Sequence, residues 1–335
     1  MVAGKKKKRY IIGVDLGGTK IMCGALSEDG SQHFAMRSIP TQSEQGADVT
    51  MDRMVGLIDA VMLETMEATG ASRGDFVGVG IGAPGPLDRE RGIVVVAPNL
   101  GWRDFPLRDV IHSRVGLHAT LDNDANCATV GEWWQGAARG GVNVVGVTIG
   151  TGIGGGIIID SRLFHGASDV AGEIGHTTIE LNGRYCKCGN YGCLEAYASG
   201  PAIAVRAREA LVREESASLM PSLVDGTLDA ITAQTVYDAA RQGDAVAQEI
   251  VRDTARYLGA GIANILNLLN VDTVVVAGGV TAAGEALFSP LRAEVRRRAF
   301  KPAVEAARIV PASLPGTAGV VGAVATFKSQ ALGAV

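Results

Sequence analysis

The N-terminal part of the chain alternates short apolar runs with polar and glycine-rich turns. Residues 10–15 are apolar as far as Asp15, residues 21–26 are apolar again, and turn residues then precede a third apolar run. This alternation predicts three consecutive strands rather than a strand that feeds a helix. Helical spacing of apolar positions comes later, at residues 54–66, and Gly70 closes that helix.

Two buried strands follow, and each ends in residues with distinctive chemistry. Residues 76–81 lead into Gly-Ala-Pro-Gly-Pro at 82–86, and residues 119–122 lead into Asn-Asp-Ala-Asn at 123–126. Both patterns predict strands of an α/β sheet, with functional residues placed where the strands end.

The second half of the chain repeats the beginning of the first. Residues 144–149 form an apolar run that enters a turn of glycine and threonine at 150–156, and a further strand is predicted at 157–160. A repeated unit of strand, glycine turn and strand predicts a duplicated α/β fold with a cleft between its halves. Helical stretches are expected from about 201 and from about 232 to 267, then a buried strand at 273–277 and a C-terminal helix from about 319.

Composition narrows the class of protein. A chain of 335 residues with 47% hydrophobic residues can build two ordinary domains, and a net charge of −4 argues against a nucleic-acid partner. The uncharged stretch 140–159 contains eight glycines, so it is better explained as strand, turn and strand than as a membrane span. The basic run at residues 5–9 is interpreted as a solvated tail, and a cytoplasmic protein without membrane contact is expected.

Three cysteines and a histidine have the chemistry of a metal site. Cys186, Cys188 and Cys193 lie close together in the chain, with His176 ten residues before the first of them. Three thiolates and an imidazole complete a tetrahedral set for zinc, which leaves no position for an activated water and indicates a structural ion. A redox pair or simple packing are the alternatives. A disulfide framework is disfavoured because the total of five cysteines is odd.

Two glycine-rich turns could hold phosphates. The first, residues 15–20, offers free backbone N–H groups, a hydroxyl, an ammonium and a carboxylate, which suits a nucleotide polyphosphate and its magnesium ion. It is neither a Walker loop nor a dinucleotide fingerprint, because a strand follows it. The signal gains weight from the second turn, residues 148–156, at the equivalent place of the second half.

Taken together, these motifs resemble those of the ROK group of sugar kinases, in particular its bacterial glucokinases. The resemblance covers nearly the whole chain. It depends on the following segments, in this order: Asp15-x-Gly-Gly-Thr-Lys20, Ala83-Pro-Gly-Pro86, Asn123-Asp-Ala-Asn126, Gly150-Thr-Gly-x-Gly-Gly155, Gly172-Glu-x-Gly-His176, Cys186-x-Cys-Gly-x2-Gly-Cys193-x-Glu195 and Ala277-Gly-Gly279.

The resemblance implies a two-domain α/β architecture, the actin-like (ribonuclease H-type) fold with a structural zinc loop. The expected domains are a basic tail at 1–9, a small domain from 10–126 plus about 315–335, and a large domain at 127–314 with the zinc loop. Repressors of the group carry a winged helix ahead of these motifs, whereas nine residues precede the first predicted strand here, so a DNA-binding role is not expected.

The resemblance also implies an activity, the transfer of the γ-phosphoryl group of MgATP to the C6 hydroxyl of glucose. It assigns zinc to His176, Cys186, Cys188 and Cys193. It assigns the sugar to Asn99, Asn123, Asp124, Glu173, His176 and Glu195. It assigns the nucleotide phosphates to Asp15, Gly17, Gly18, Thr19, Lys20, Thr151, Gly152, Gly154, Gly278 and Gly279.

Asp124 is the expected general base. By itself an Asp at this place could instead cap the following helix, and Asn123 and Asn126 could cap it equally well. Alternative acceptors are N-acetylmannosamine, mannose and fructose, and polyphosphate could replace ATP as donor. A non-catalytic sugar sensor is a different class of function, which a retained base and both glycine loops disfavour. A homodimer or homotetramer is expected.

Overall fold

A computed structural model describes residues 8–213 and 217–333. The strands are β1 Tyr10–Leu16, β2 Lys20–Ser27, β3 His33–Pro40, β4 Phe76–Ala83, β5 Leu87–Asp88, β6 Ile93–Ala97, β7 Trp102–Phe105, β8 Ala119–Asn123, β9 Val144–Ile149, β10 Ile153–Ile159, β11 Arg162–Leu163, β12 Thr273–Gly278 and β13 Arg308–Pro311. The α-helices are α1 Ala47–Thr69, α2 Leu107–Val115, α3 Asp124–Trp134, α4 Glu195–Ala198, α5 Gly200–Arg213, α6 Ala233–Arg241, α7 Ala245–Leu269, α8 Glu285–Arg298, α9 Lys301–Ala306 and α10 Ala318–Phe327.

The chain forms two compact units. The first contains the described residues up to Gly140, the segment Leu163–Ala171 and the described residues from Leu314 onward. The second contains Gly141–Arg162 and the described part of Gly172–Ser313. Of the expected basic tail, residues 1–7 lie outside the described residues. Lys8 and Arg9 bond side chains of the first unit, at 3.0 Å to Gln32 and 3.2 Å to Glu28.

Each unit is built on a five-stranded sheet, and the two sheets have the same strand order. In the first unit the order is β3-β2-β1-β4-β8, and in the second it is β11-β10-β9-β12-β13. The hairpins β1–β2 and β9–β10 are antiparallel, and each is followed by parallel pairing of its first strand with a later one. The duplicated α/β fold predicted from the repeated turn is therefore present.

Glycines in the first sheet let the C-terminal helix α10 lie directly on it. A Cβ at Gly13 would stand 2.2 Å from the carbonyl oxygen of Val320, and one at Gly80 would stand 1.9 Å from that of Ala323. Neither approach leaves room for a side chain. The last helix of the chain is thus part of the first unit, as the resemblance implies.

The boundary between the units differs from the expected one. The predicted boundary lies after Asn126, whereas the first unit extends to Gly140 and takes in the whole of α3. The cause is tight packing of α3 on α10, because a Cβ at Gly131 would meet the Ala318 carbonyl oxygen at 2.2 Å. A Cβ at Gly322 would meet the Cys127 carbonyl oxygen at 1.6 Å. Sequence spacing does not reveal this contact, since it joins residues far apart in the chain.

Two local predictions also need correction. The glycine run at 154–156 belongs to strand β10, which begins at Ile153, and is not part of the turn. The helical stretch predicted from about 232 is two helices, since Asp244 starts a new one by accepting a 2.8 Å hydrogen bond from the Ala247 N–H. Within residues 8–213 and 217–333, no helix is long and apolar enough to cross a membrane.

Candidate active site

In the first unit, the fold brings two carboxylates together. Asp15 lies on β1 opposite Gly82 of β4, and Gly82 in turn lies opposite Asp122 of β8, so these parallel strands end at one edge of the sheet. Asp124 follows β8 directly. Burial, and to a lesser extent the negative charge of Asp124, raise the pKa of Asp15 from 3.8 to about 7. The positive charge of Lys20 acts in the opposite direction and lowers this pKa.

The turn between β1 and β2 is held in place by backbone and side-chain hydrogen bonds. The Gly17 N–H donates to the Lys20 carbonyl oxygen at 3.0 Å, and the Thr41 hydroxyl donates to the Gly17 carbonyl oxygen at 2.6 Å. A Cβ at Gly18 would stand 2.9 Å from the Cβ of Asn99. The structure therefore brings Asn99, a predicted sugar residue, against the predicted phosphate turn, while the side chains of Thr19 and Lys20 are exposed.

The competition for the helix cap is resolved in favour of Asn123. Its side-chain oxygen accepts hydrogen bonds from the N–H groups of Ala125 and Asn126, at 2.9 and 3.2 Å. Asp124 is the first residue of α3, and its carboxylate accepts a 2.8 Å hydrogen bond from the adjacent Ala125 N–H. The structural role that could have explained Asp124 belongs to its neighbour.

In the second unit, the equivalent turn is braced by Glu195. A carboxylate oxygen of Glu195 accepts a 2.9 Å hydrogen bond from the Ile153 N–H, and a Cβ at Gly152 would stand 2.6 Å from that oxygen. The Gly150 N–H donates to the Gly152 carbonyl oxygen at 2.9 Å and closes the turn. Thr151, at the tip, is exposed.

The end of β12 lies beside the same turn. Gly278 has φ +105°, and a Cβ there would stand 1.9 Å from the Ile149 carbonyl oxygen, so glycine is required for this approach. Gly278 and Gly279 thus join Thr151 and Gly152 at one edge of the second sheet. Gly154 lies in β10, paired with Thr148, and is part of the ladder rather than of the turn.

The four predicted metal ligands converge in the second unit. The ligand atoms of His176, Cys186, Cys188 and Cys193 all lie within 4.8 Å of one another. Nδ1 of His176 is 3.7 Å from the Cys186 sulfur, and the sulfurs of Cys188 and Cys193 are 3.7 Å apart. A tetrahedron with zinc–sulfur bonds of about 2.3 Å has sulfur–sulfur edges of about 3.8 Å, so the donor set fits zinc in both type and spacing.

The opposite side of the His176 ring faces a carboxylate. Its Nε2 is 4.0 Å from a carboxylate oxygen of Glu173, while Nδ1 faces the cysteines. Cys193 is followed by Leu194 and Glu195, so the segment that supplies a metal ligand also supplies the carboxylate that braces the second turn. One segment of chain therefore connects the metal ligands to the predicted phosphate and sugar residues of this unit.

Sequence reasoning missed two residues near the first carboxylate pair. A Cβ at Gly319, in the first turn of α10, would stand 2.5 Å from an Asp15 carboxylate oxygen, so only glycine fits there. Asp122 is fully buried just before Asn123 and Asp124. The sequence did offer one signal for Asp122, a charged residue inside a short apolar strand. Burying a charge is unfavourable unless hydrogen bonds or an opposite charge compensate it, so such a residue indicates partners elsewhere in the chain.

The geometry defines a class of protein. Two sheets with one strand order, a glycine-rich hairpin at the same place in each, and a half-buried carboxylate pair at the first hairpin define an actin-like (ribonuclease H-type) phosphotransferase. The comparisons with known proteins agree, because the profile described as ROK family matches residues 11–330.

Several similar proteins match nearly the whole chain. A glucokinase from Halalkalibacterium halodurans is 37% identical over 96% of this chain and 96% of its own length. A glucokinase from Streptomyces coelicolor is 38% identical over 93% and 95%. The crystal structure of a ROK family glucokinase from Streptomyces griseus, in complex with glucose and AMPPNP, has a TM-score of 0.80 and 38% identity, and covers 95% of this chain and 98% of that one. The chain belongs to the ROK family.

Proposed function

We propose that this chain is an ATP-dependent glucokinase that phosphorylates the C6 hydroxyl of glucose, with Asp124 as the general base. The observation that carries the proposal is near full-length similarity to glucokinases, one of them bound to glucose and an ATP analogue, together with the carboxylate pair of Asp15 and Asp124. The chain is a hexokinase-type kinase, and the finer assignments below rest on its own residues.

The surroundings of Asp124 support its role as the base. Asn123 takes the helix cap, so the function of the Asp124 carboxylate is not explained by capping. A base must reach the attacking hydroxyl and accept its proton as the new phosphorus–oxygen bond forms. General-base contributions are typically about 10²- to 10⁴-fold, which is roughly 3 to 5 kcal/mol.

Asp15 is the residue that would face magnesium. A carboxyl group with a pKa of about 7 is held there by burial and by Asp124, and a divalent cation beside it would favour its charged form. When bound with ATP, magnesium supplies charge neutralisation at the phosphates. The chain's own part is to keep Asp15 at the end of β1, where Gly319 leaves room for it.

The nucleotide has candidate contacts at the two glycine-rich turns and at one cavity. Backbone N–H groups of the turns at Gly17–Gly18 and Thr151–Gly152 suit phosphate oxygens. A cavity of about 410 Å³ in the second unit is lined by residues of α6, α7 and α8 and of the turn before α8, among them Tyr237, Ala283 and Ala286. Its size falls within the range of small-ligand pockets. Ala283 follows the Gly278–Gly279 turn by four residues, so we assign the adenine ring to this cavity.

Zinc fits the set of His176 and the three cysteines. Four protein ligands leave no open position, so the ion would stabilise the segment rather than take part in the reaction. Stabilising it would hold Glu173 and Glu195 and leave Nε2 of His176 free for a sugar hydroxyl. Metal analysis should find one zinc per chain, and its absence from protein prepared without chelators would contradict the assignment.

Sugar recognition would use Asn99, Asn123, Asp124, Glu173, His176 and Glu195. Charged hydrogen bonds to hydroxyls discriminate epimers, because the wrong epimer leaves a buried polar group unpaired, at a cost of about 1 to 3 kcal/mol. Glucose should therefore exceed mannose, fructose and N-acetylmannosamine in kcat/KM.

A coupled assay tests the proposal directly. It measures kcat/KM for these four sugars with MgATP, and for glucose with polyphosphate as donor. A higher value for a competing sugar would replace glucose as the substrate, and a higher value with polyphosphate would replace ATP as the donor. If no sugar is phosphorylated with either donor while glucose still binds in calorimetry, the sensor interpretation holds instead.

We also expect a cytoplasmic homodimer or homotetramer. Light scattering coupled to gel filtration would measure the mass in solution and compare it with 34.6 kDa for one chain. A monomer at micromolar concentration would contradict the expectation.

A further inference from the structure

A buried carboxylate lies directly behind the proposed base. The Asp122 side chain is fully buried on β8, two residues before Asp124. Removing a charge from water costs several kcal/mol unless hydrogen bonds replace the lost hydration. The bonds that stabilise Asp122 therefore indicate what the residue is for.

The two oxygens of Asp122 have different partners. Oδ1 accepts a hydrogen bond from the Asn123 N–H at 2.9 Å and another from the Asn126 side-chain amide at 3.0 Å. Both donors belong to the turn from β8 into α3, the turn that carries Asp124. Oδ1 thus holds the backbone of the turn that carries Asp124.

Oδ2 accepts from two distant parts of the chain. Nε2 of His165 donates to it at 2.9 Å, and the side-chain amide of Gln330 donates at 2.9 Å. Since a carboxylate without a proton can only accept, Nε2 of His165 must carry the hydrogen. The guanidinium of Arg89 lies 3.7 Å from the same oxygen, and its Nε donates to Asp169 at 3.0 Å.

His165 and Asp169 belong to the segment Leu163–Ala171. This segment is part of the first unit, although the residues on both sides of it belong to the second. The Ala171 N–H donates to the His165 carbonyl oxygen at 3.1 Å, so the segment is also tied to itself where it ends. The next residues in the chain are Gly172 and Glu173, which begin the proposed sugar-binding stretch.

We propose that Asp122 and His165 are a positioning pair that connects the turn of the base to the segment preceding the sugar ligands. Oδ1 holds the Asp124 turn, and Oδ2, through His165, holds Leu163–Ala171. The pair makes no contact with the reacting atoms and acts through Asp124 and Glu173. This inference rests on the proposed function for its kinetic test.

Matched variants separate positioning from plain stability. His165→Leu and Gln330→Leu each remove one donor to the same oxygen, but only His165 lies on the segment that leads to Glu173. His165→Leu should raise the KM for glucose about tenfold with the KM for ATP unchanged, whereas Gln330→Leu should keep both within about threefold of the parent. His165→Gln should restore most of the sugar affinity, because its amide can donate as Nε2 does.

Asp122→Asn tests the two oxygens together. An amide offers one acceptor oxygen where four donors point, so either the Asp124 turn or the segment Leu163–Ala171 loses its hydrogen bonds, and kcat/KM for glucose should fall about tenfold or more. Hydrogen exchange gives a readout independent of activity, since His165→Leu should speed exchange across Leu163–Ala171 and Gln330→Leu should not.

The outcomes are distinct. Equal effects of His165→Leu and Gln330→Leu on the KM for glucose, or no effect of either, would overturn the positioning pair. If the parent does not phosphorylate glucose, the proposed function fails, and hydrogen exchange still decides whether His165 holds the segment. If His165→Leu does not fold, His165→Gln is compared with Gln330→Leu instead. A loss of kcat/KM for glucose in His165→Gln as large as that in Asp122→Asn would count against the pair.

Discussion

The two glycine-rich hairpins occupy the same place in two sheets of the same topology, yet their chemistry differs. In the first, β1 carries its own carboxylate, Asp15, with Lys20 at the other end of the turn. In the second, Thr148 stands at the position equivalent to Asp15, and the carboxylate comes from Glu195 on α4. The duplicated backbone provides two equivalent turns, both of which are predicted to bind phosphate, and the side chains around each turn set the difference between them.

The difference indicates a division of work. The first hairpin and its neighbour Asp124 carry the carboxylates that are proposed to handle a proton and a cation. The second hairpin is neutral at its tip and is braced by Glu195, which follows the candidate metal ligands in the chain. Changes at the first hairpin and at Asp124 should therefore affect kcat, and changes around the second hairpin should affect binding.

The sharpest test of this division is Asp124→Asn. The amide keeps hydrogen bonding but accepts no proton, so kcat should fall by about 10²- to 10⁴-fold while glucose still binds. Turnover and calorimetry measure the two quantities. Turnover within about tenfold of the parent would remove Asp124 as the base.

The raised pKa of Asp15 should make the stability of the protein depend on pH. A pKa raised from 3.8 to about 7 means that the folded state retains a proton that the unfolded state has lost, so stability falls as pH rises through this range. Without magnesium, the free energy of unfolding of Asp15→Asn, taken relative to that of the parent, should increase by on the order of 2 to 3 kcal/mol from pH 5 to pH 8.

Chemical denaturation at the two pH values measures this gain, and Thr148→Val is the matched variant in the second hairpin. An equal gain in Thr148→Val, or a stability difference between Asp15→Asn and the parent that is the same at both pH values, would contradict the assigned difference between the hairpins.

Loss of the metal should damage the second hairpin and leave the first intact. Cys188→Ser should lose zinc and weaken glucose binding about 10- to 100-fold, because Glu173, His176 and Glu195 are positioned by that segment. Metal analysis and calorimetry test both effects. Lys187→Ser, in the same loop but outside the ligand set, should keep zinc and sugar affinity. Full affinity after complete zinc removal would refute the coupling.

The smallest effect is expected at Thr148 itself. If the second hairpin works through its backbone and through Glu195, Thr148→Val should change kcat and the KM for ATP by less than about threefold, whereas Asp15→Asn should lower kcat by about tenfold or more at saturating magnesium. Steady-state kinetics of the two variants compares equivalent positions directly. A larger loss from Thr148→Val than from Asp15→Asn would reverse the comparison.

The sequence determined the features that depend on nearby residues. Alternation of apolar and polar positions predicted the three strands of the first meander, the helix closed by Gly70, and the repeated hairpin that revealed a duplication. The spacing of the cysteines after His176 predicted a ligand set that converges in the structure. These predictions succeeded because turn chemistry and ligand spacing are local properties of a chain.

The tertiary structure alone decided which residues from distant parts of the chain meet. It gave the helix cap to Asn123 rather than to Asp124, moved α3 into the first unit through its packing on α10, and placed Gly319 against Asp15. The hydrogen bonds from His165 to Asp122 and from Ile153 to Glu195 join residues 43 and 42 positions apart. Neither periodicity nor spacing records such pairs, because they arise when the strands assemble into sheets and the helices pack on them.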